Sequence, residues 1–314
     1  MKGEVLNVEG MTYEKALKSF YRRCVSKNLS NKTISFYDSF LLPFGIYVVG
    51  KGLSKVNDID EEIIETYMER FSLEHSPITC VGNYASLRVF FRFLHKQEYI
   101  SVYPMKHLHK PKVPKRHART FTAEEISIIL KQPNKDSFCG FRDYVILCVL
   151  LGTGCRRAEL IGMKLLDIHN DYNFISIVGK GDKQRNVPVG SQLKRLLRQY
   201  VKQREKHMQE VDAFSPALWV TQQGRPLRDS TLSNLFKRIK RDCNIPSKRL
   251  SPHTFRHTYA KSFLLNGGDV FSLQRILGHE DIATTQVYIG YNDRELGIQN
   301  DKYNPLDNTR WQYY

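Results

Sequence analysis

The sequence lacks the features that mark membrane, secreted or zinc-stabilised proteins. No run approaches 18 apolar residues, so we expect no segment that crosses a membrane. The first residues, Met-Lys-Gly-Glu-Val, lack the apolar stretch of a secretory signal. The six cysteines form no Cys-x-x-Cys pair, because they are scattered over positions 24, 80, 139, 148, 155 and 243. This spacing argues against a structural zinc site and a disulfide framework, and it predicts a reducing, cytoplasmic compartment.

Common catalytic signatures are missing as well. The nearest match to a phosphate-binding loop is Gly179-Lys180, but Phe174 occupies the place of its first glycine. The sequence contains neither His-Glu-x-x-His nor Gly-x-Ser-x-Gly. These absences argue against a P-loop that binds ATP, and against the zinc peptidases and serine hydrolases that carry those motifs.

What the sequence has in excess is positive charge. Its 314 residues include 48 Lys and Arg against 32 Asp and Glu, which gives a net charge of +16. The charged fraction of 25% and the apolar fraction of 41% are ordinary for globular proteins, so the bulk of the chain is not expected to be disordered. The length predicts two domains. The charge predicts a polyanionic partner, nucleic acid first and an acidic membrane surface second.

The first hundred residues have the spacing of amphipathic helices. Thr12 and Asn31 begin two helical patterns, and Asp58 with Glu61 fits a capping box for a third. A fourth pattern carries apolar residues at positions 81, 84, 87, 90, 91 and 94. Four short helices of this kind predict a compact bundle.

A basic segment, residues 106–119, follows the predicted bundle. It contains six Lys or Arg, no acidic residue and two prolines, Pro111 and Pro114, which favour an extended backbone. The segment is either a solvated linker or a strap that lies along a phosphate backbone, and in a chain this basic we prefer the strap. Both interpretations place a domain boundary here.

The second domain is predicted to combine helices with a small sheet. Thr122 and Glu125 form a capping box, and two strand patterns, 174–178 and 184–189, enclose a glycine-rich turn. Helical patterns follow, and the tail 289–314 is polar and loop-like. We therefore predict a mainly α fold with a small β-sheet, of the α+β class.

Cationic, imidazole and tyrosine side chains occur in four short motifs. In chain order these are Thr-Gly-Cys-Arg-Arg-Ala-Glu-Leu, the turn Gly-Lys-Gly-Asp-Lys, Ser-Pro-His-Thr-Phe-Arg, and Leu-Gly-His with a tyrosine nine residues after the histidine. The side chains of interest are Arg156, Lys180, His253, Arg256, His279 and Tyr288. Predicted helix N-termini beside the arginines suit the binding of a phosphate. Each motif alone has a plainer interpretation: a surface arginine paired with Glu159, a solvated lysine, a structural His-Arg pair or a core tyrosine.

The four motifs in this order resemble those of the tyrosine recombinases, the phage-integrase superfamily, and in particular its short Xer-like and transposon-encoded members. The resemblance spans nearly the whole chain and is strongest in its second half. It implies a helical core-binding domain of SAM-like type in residues 1–105, a basic linker in 106–119, and a mixed, mostly helical catalytic domain in 120–288. It also implies that residues 289–314 form a tail that is exchanged between protomers.

The reaction that the resemblance implies is a phosphoryl transfer from DNA to Tyr288 and back. It leaves a 3′-phosphotyrosine and a free 5′-hydroxyl, and it needs no cofactor and no metal because the bond energy is conserved. Arg156 and Arg256 are then the groups that bind the non-bridging oxygens, as Mg²⁺ does in other phosphoryl-transfer enzymes.

The resemblance assigns roles to three other residues and names the partners. His253 is the candidate proton acceptor, Lys180 the candidate donor to the leaving oxygen, and His279 a candidate contact to the phosphate. The implied partner is duplex DNA with specific recombination sites. The protein is expected to be a monomer without DNA and to form a homotetramer on paired sites. An accessory or directionality protein and a prokaryotic, nucleoid-associated location fit the resemblance, whereas a membrane does not.

Candidate DNA contacts come from two basic segments. The helical pattern 231–241 places apolar residues on one face and basic residues on the other, for which a solvated face is the alternative. The candidates are Lys110, Lys112, Lys115, Arg116, Arg119, Lys237, Arg238, Lys240 and Arg241. We expect a site-specific recombinase that integrates, excises, inverts or resolves DNA. The alternatives are a type IB topoisomerase-like relaxing enzyme and a catalytically idle DNA-binding regulator.

Overall fold

A computed structural model describes residues 10–114, 119–169, 171–179, 183–243, 250–286 and 293–303 of the chain. The chain divides into two compact units, residues 1–115 and 116–314. The division falls inside the basic segment 106–119. Most described residues are helical, and a small antiparallel sheet lies in the second unit, so the predicted fold class is confirmed.

The first unit is a bundle of helices around an aromatic core. Its α-helices are α1 (Tyr13–Ser26), α2 (Asn31–Gly50), α3 (Glu61–Glu74) and α4 (Pro77–Lys96). Rings from different helices meet edge to face, as in Phe20 against Phe90 with centroids 5.5 Å apart. Our prediction of a capping box at Asp58 was wrong. Asp58 ends a 3₁₀ helix, and it is Asp60 that caps α3, through a hydrogen bond from the Ile63 N–H.

Helix α2 is an exception to our expectation that no segment of the chain could cross a membrane. By length and composition alone this helix could do so. In the structure, one face of α2 packs into the core of the first unit, where Phe40, Leu41, Phe44 and Val48 are buried. Core helices of water-soluble proteins have this same composition, so the packing is evidence for a core role.

The second unit begins with the capping box that the sequence predicts, Thr122 with Glu125. Its helices are α5 (Ala123–Lys131), α6 (Phe138–Thr153), α7 (Arg157–Gly162), α8 (Ser191–Glu210), α9 (Asp229–Asp242), α10 (Pro252–Leu265), α11 (Val270–Leu277), α12 (Ile282–Gln286) and α13 (Asp293–Tyr303). Its strands are β1 (Ile168–His169), β2 (Phe174–Val178) and β3 (Gln184–Pro188). The sequence analysis predicted the last two strands and missed the short β1.

Helix α6 is the centre of the second unit. Its side chains from Val145 to Leu150 are almost all buried, and it packs against α8 and α10. The sheet has the order β1-β2-β3, and β3 pairs with β2 so that Arg185 lies opposite Ile177. Because strand residues alternate between faces, this register places Arg185 on the same inward face as the buried Val187.

Part of the tail is helical, so our expectation of a loop over residues 289–314 was wrong for α13. This helix lies against α10 of the same chain. Glu295 forms a 2.7 Å ion pair with Lys261, and the Gln299 side chain donates a 2.9 Å hydrogen bond to the Leu265 carbonyl. The side chains of Leu296 and Ile298 and all residues from 304 onward lie outside the described part of the chain.

A buried ion network joins α6 to α9. Asp143 accepts two hydrogen bonds from Arg142, at 3.0 and 2.6 Å, and one of 2.6 Å from Arg238. Arg142 also donates a 2.8 Å hydrogen bond to the Val220 carbonyl. The side chains of Arg142 and Asp143 are buried, whereas that of Arg238 is half exposed. The network therefore attaches the basic face of α9 to the core of the unit.

Replacement of Asp143 should strongly destabilise the second unit. We expect Asp143→Ala to lower the free energy of unfolding by about 3–5 kcal/mol, because it leaves Arg142 buried without that counter-charge. The matched control is Asp242→Ala, which removes an exposed partner of Arg241 and should cost at most about 1 kcal/mol. Urea denaturation measures both values. A loss below about 1 kcal/mol in Asp143→Ala would contradict the assignment.

Candidate active site

Two helices, α6 and α11, end beside Arg156 and His279, two residues of the sequence motifs. Each ends at a glycine in the left-handed conformation, Gly154 with φ +60° and Gly278 with φ +64°. The last carbonyls of a helix have no partner inside it and carry partial negative charge. Cationic side chains are therefore stabilised at both helix ends.

Arg256 connects the two helix ends. It lies in the first turns of α10, where Ser251 is the N-cap and Pro252 the first helical residue. Its buried guanidinium donates 2.8 Å hydrogen bonds to the carbonyls of Gly154 and Leu277. The Nη2 atom of Arg256, which donates to the Leu277 carbonyl, also lies 2.7 Å from Nε2 of His279.

The protonation of His279 follows from its two neighbours. Because a guanidinium only donates, Nε2 accepts the hydrogen bond from Arg256. The proton then lies on Nδ1, which donates to the Thr285 hydroxyl at 2.8 Å. His279 is thus held as a neutral ring between Arg256 and Thr285.

Arg156 is the N-cap residue of α7 and is anchored by the buried Glu159. The carboxylate of Glu159 accepts hydrogen bonds from the Arg156 backbone N–H at 2.7 Å and from Nη1 at 2.9 Å. The Nη2 group of Arg156 lies 3.4 Å from the Gly278 carbonyl, where it donates a long hydrogen bond. The side chain is otherwise close to half exposed, so it can still reach a ligand.

Arg185 of β3 approaches the same carboxylate from the other side. Its Nη1 and Nη2 groups donate to the two oxygens of Glu159 at 3.0 and 2.8 Å, and its Nε donates to the Ile276 carbonyl at 2.8 Å. Arg185 lies outside the four sequence motifs and was not among the predicted site residues. The signal was available, because an arginine that alternates with Val187 on the inward face of a strand needs a buried partner.

His253 lies one helical turn before His257 on α10, and the two rings are close. Their centroids are 4.2 Å apart. Burial, and then the charge of Arg256, lower the pKa of His253. Burial, followed by the charges of His253 and Arg256, lowers the pKa of His257 to about 4. Both rings are therefore neutral at pH 7.

Burial and the nearby arginines together determine the pKa values of Glu159, His279 and Cys155. Burial alone would raise the pKa of Glu159, but hydrogen bonds from Arg185 and Arg156 outweigh it and lower the pKa to about 2. Burial, and then the charges of three nearby arginines, lower the pKa of His279 to about 4. Burial also raises the pKa of the Cys155 thiol to about 12, which makes it inert. At neutral pH the arginines and Glu159 are thus charged, whereas His253, His257 and His279 are neutral.

The structure brings together four of the six predicted site residues. Arg156, Arg256 and His279 meet at the end of α11, and His253 lies one helical turn before Arg256 on α10. Lys180 and Tyr288 lie outside the described residues, as do the candidate DNA contacts Lys115 and Arg116. The other candidate contacts, Lys110, Lys112, Arg119, Lys237, Arg238, Lys240 and Arg241, are exposed. In α9 the predicted amphipathic pattern is confirmed, since Leu232, Leu235, Phe236 and Ile239 are buried.

The six cysteines are free thiols in this structure. Among the residues that the structure describes, no group of three or more His, Cys, Asp or Glu side chains is arranged to hold a metal ion.

Comparisons with known proteins place this geometry in a family. The sequence profile of the phage integrase family matches residues 119–295. The chain is 31% identical over 266 residues to tyrosine recombinase XerD of Listeria monocytogenes, covering 84% of this chain and 89% of that protein. It is also 31% identical over 264 residues to tyrosine recombinase XerC of Myxococcus xanthus, covering 83% and 88%.

Solved structures have the same fold at lower sequence identity. The XerH site-specific recombinase in a post-cleavage complex with its palindromic difH substrate has a TM-score of 0.75 and 20% identity, covering 93% of this chain and 85% of that chain. The Tn1549 transposon integrase in complex with circular intermediate DNA has a TM-score of 0.73 and 18% identity, covering 92% and 99%. The chain therefore belongs to the phage integrase family of tyrosine recombinases, enzymes that cut and rejoin DNA at specific sites.

Proposed function

We propose that Tyr288 is the nucleophile of this recombinase and that Arg156, Arg256, His253 and His279 surround the phosphate that it attacks. The supporting observation is that Arg156 and Arg256 donate to the carbonyls of adjacent residues, Gly278 and Leu277, in the turn that presents His279. Two guanidinium groups fixed this close together can bind two oxygens of one phosphate.

The proposed reaction is a pair of phosphoryl transfers. The Tyr288 hydroxyl attacks a backbone phosphorus, the P–O5′ bond breaks, and a 3′-phosphotyrosine and a free 5′-hydroxyl result. The tyrosine proton passes to His253, and Lys180 gives a proton to the leaving 5′-oxygen. Attack by the 5′-hydroxyl of a second strand reverses the step and releases Tyr288. Arg156 and Arg256 stabilise the negative charge on the non-bridging oxygens.

The neutral state of His253 supports its proposed role, whereas His279 must change its protonation to contact the phosphate. A neutral His253 can accept the proton of Tyr288, whose ordinary pKa of about 10 requires an acceptor. His279 presents no free N–H in its described tautomer, because Nδ1 donates to Thr285 and Nε2 accepts from Arg256. Its contact to the phosphate therefore requires a proton on Nε2 and a shift of Arg256 from the ring to the phosphate.

The proposed substrate is duplex DNA with specific recombination sites. The solved neighbours named above were determined with DNA, and this chain exposes basic side chains in segment 106–119 and on α9. Binding through phosphates should weaken as salt rises. We place the protein in a prokaryotic cytoplasm, at the nucleoid, with an accessory or directionality protein as a further partner.

For assembly we propose a homotetramer on two paired sites and a monomer without DNA. In this proposal α13 leaves α10 of its own chain and takes the same position on a neighbour. Such an exchange needs no new contacts, because the Glu295–Lys261 pair is simply formed between chains. The cost of assembly is therefore low once DNA brings two protomers together.

Replacement of Tyr288 should abolish a covalent protein–DNA adduct. With a nicked suicide substrate in excess EDTA, we expect the wild type to form the adduct and Tyr288→Phe to form none, while the dissociation constant for DNA changes less than about threefold. Denaturing gels measure the adduct, and Tyr291→Phe is the matched control. The proposal fails if Tyr288→Phe still forms the adduct and peptide mapping places it on Tyr291 or Tyr259.

The neutral histidines should make the DNA-free protein less stable in mild acid. His279 and His257 have pKa values of about 4 when folded, and unfolded histidine has about 6.5, so the unfolded state binds more protons between these values. Stability then falls as pH falls from 7 to 5, by about 1 kcal/mol for each histidine after allowance for solvent screening.

Urea denaturation at pH 7 and pH 5 measures this loss. His279→Asn should flatten the dependence by about the share of one histidine, whereas His109→Asn, an exposed control in the first unit, should follow the wild type. Equal or greater stability at pH 5 in the wild type would show that the histidines are not held neutral.

Charge reversal can test the exchange of α13. Lys261→Glu and Glu295→Lys should each weaken cooperative filling of two binding elements by about tenfold or more, because each breaks a largely buried pair. An equal mixture of the two variants should regain cooperativity only if α13 is exchanged, since alternating protomers then restore every pair between chains. The double variant is the control, and it should bind like the wild type. A mixture as weak as the single variants would exclude the exchange.

A further inference from the structure

Arg185 lies beside the candidate site and forms several hydrogen bonds there, but it has no role in the reaction proposed above. Its side chain is 13% exposed. All three of its nitrogen groups donate hydrogen bonds, two to the carboxylate of Glu159 and one to the carbonyl of Ile276. A side chain so enclosed has little room to contact DNA itself. Its effect on the reaction must pass through the groups that it holds.

The first such group is Glu159, which Arg185 shares with Arg156. Each oxygen of Glu159 accepts one hydrogen bond from Arg185 and one from Arg156, the latter from the backbone N–H and from Nη1. The bidentate fork fixes the plane of the carboxylate. The carboxylate in turn fixes the direction in which the Arg156 side chain leaves the backbone. Without Arg185, Glu159 could rotate and Arg156 with it.

The second group is the end of α11. The carbonyls of Ile276, Leu277 and Gly278 are three consecutive acceptors, and they bind Arg185, Arg256 and Arg156 in that order. The Arg185 side chain also packs beneath the turn, because a Cβ built on Gly278 would meet its Cδ at 2.9 Å. Arg185 therefore supports the backbone from which His279 projects.

We propose that Arg185 is a positioning residue that fixes Arg156 through Glu159 and His279 through the end of α11, so that these groups are in register when the phosphate binds. The proposal rests on the proposed role of Arg156 in DNA cleavage. A plain structural ion pair is the competing explanation. It predicts a loss of folding stability and of DNA binding, whereas positioning predicts a loss of cleavage rate in DNA that is already bound.

The experiment compares binding with chemistry. DNA affinity is measured by gel shift, and single-turnover cleavage of a nicked suicide substrate is measured with protein in saturating excess. We expect Arg185→Met to slow cleavage by about 100-fold, a loss comparable to that of one transition-state donor, with the dissociation constant changed less than about threefold. The matched control is Arg198→Met, which removes a half-exposed arginine paired with Asp171 on the same unit and should cleave like the wild type.

A conservative variant keeps the test decisive if Arg185→Met does not fold. Arg185→Lys retains the charge, but one ammonium group cannot hold both oxygens of Glu159 and the Ile276 carbonyl. We expect it to cleave about tenfold more slowly than the wild type and faster than Arg185→Met. Cleavage by Arg185→Lys at the wild-type rate would overturn the proposal.

A double variant tests the route through Glu159. If Arg185 and Glu159 act on Arg156 as one unit, Arg185→Lys combined with Glu159→Gln should be no slower than the slower single variant. Losses that multiply would show independent action and would overturn the proposal. Failure of the wild type to form any adduct would instead refute the proposed function, so the two failures are distinguishable.

Discussion

The carboxylate of Glu159 is the group on which the arrangement of the candidate site depends. This carboxylate is buried between Arg156 and Arg185. Without it, the positive charges of the two arginines would repel each other. In the interior such charges interact strongly, and a charge left without a partner costs several kcal/mol. Four hydrogen bonds to one carboxylate resolve this conflict. They also explain why the glutamate stands three residues after Arg156, where a helix N-cap needs an acceptor.

The glycines of two of the four motifs, Gly154 and Gly278, determine where helices end beside the functional residues. Gly154 and Gly278 each end a helix in the left-handed conformation, so that a functional residue follows within two positions of the last carbonyls of the helix. Neither position tolerates a Cβ: at Gly154 it would meet the ring of Tyr259 at 2.7 Å, and at Gly278 the side chain of Arg185. The motifs therefore specify helix ends as much as they specify reactive groups, and the arginines bind where those helix ends carry partial negative charge.

The sequence could predict the features that depend on residues close together in the chain. The capping box at Thr122, the helix N-terminus before Arg256 and the amphipathic α9 all depend on short-range patterns, and all are confirmed. The role of Arg185 was missed because its partner Glu159 lies 26 residues earlier in the chain, in α7, and only the tertiary fold brings β3 to that carboxylate.

Two other misses have the same cause. Helix α13 has a weak apolar pattern, and its place depends on contacts with α10 rather than on its own sequence. In α2 the apolar composition fits either a membrane segment or a core helix, and only the packing of Phe44 and its neighbours distinguishes the two. Convergence of the site residues was implied by resemblance, whereas their hydrogen-bond partners required the fold.

The charge balance at Glu159 explains why a second arginine is needed beside Arg156. A carboxylate that paired with Arg156 alone would cancel the charge that a phosphate must meet. Because Arg185 forms a complete ion pair with the same carboxylate, the Glu159–Arg185 pair is neutral as a unit, and the charge of Arg156 remains available. Arg256 is held by hydrogen bonds to the carbonyls of Gly154 and Leu277. Arg156 is thus held in place by Glu159 without loss of its positive charge, and a charged donor that is positioned before the phosphate binds favours the stabilisation of a transition state.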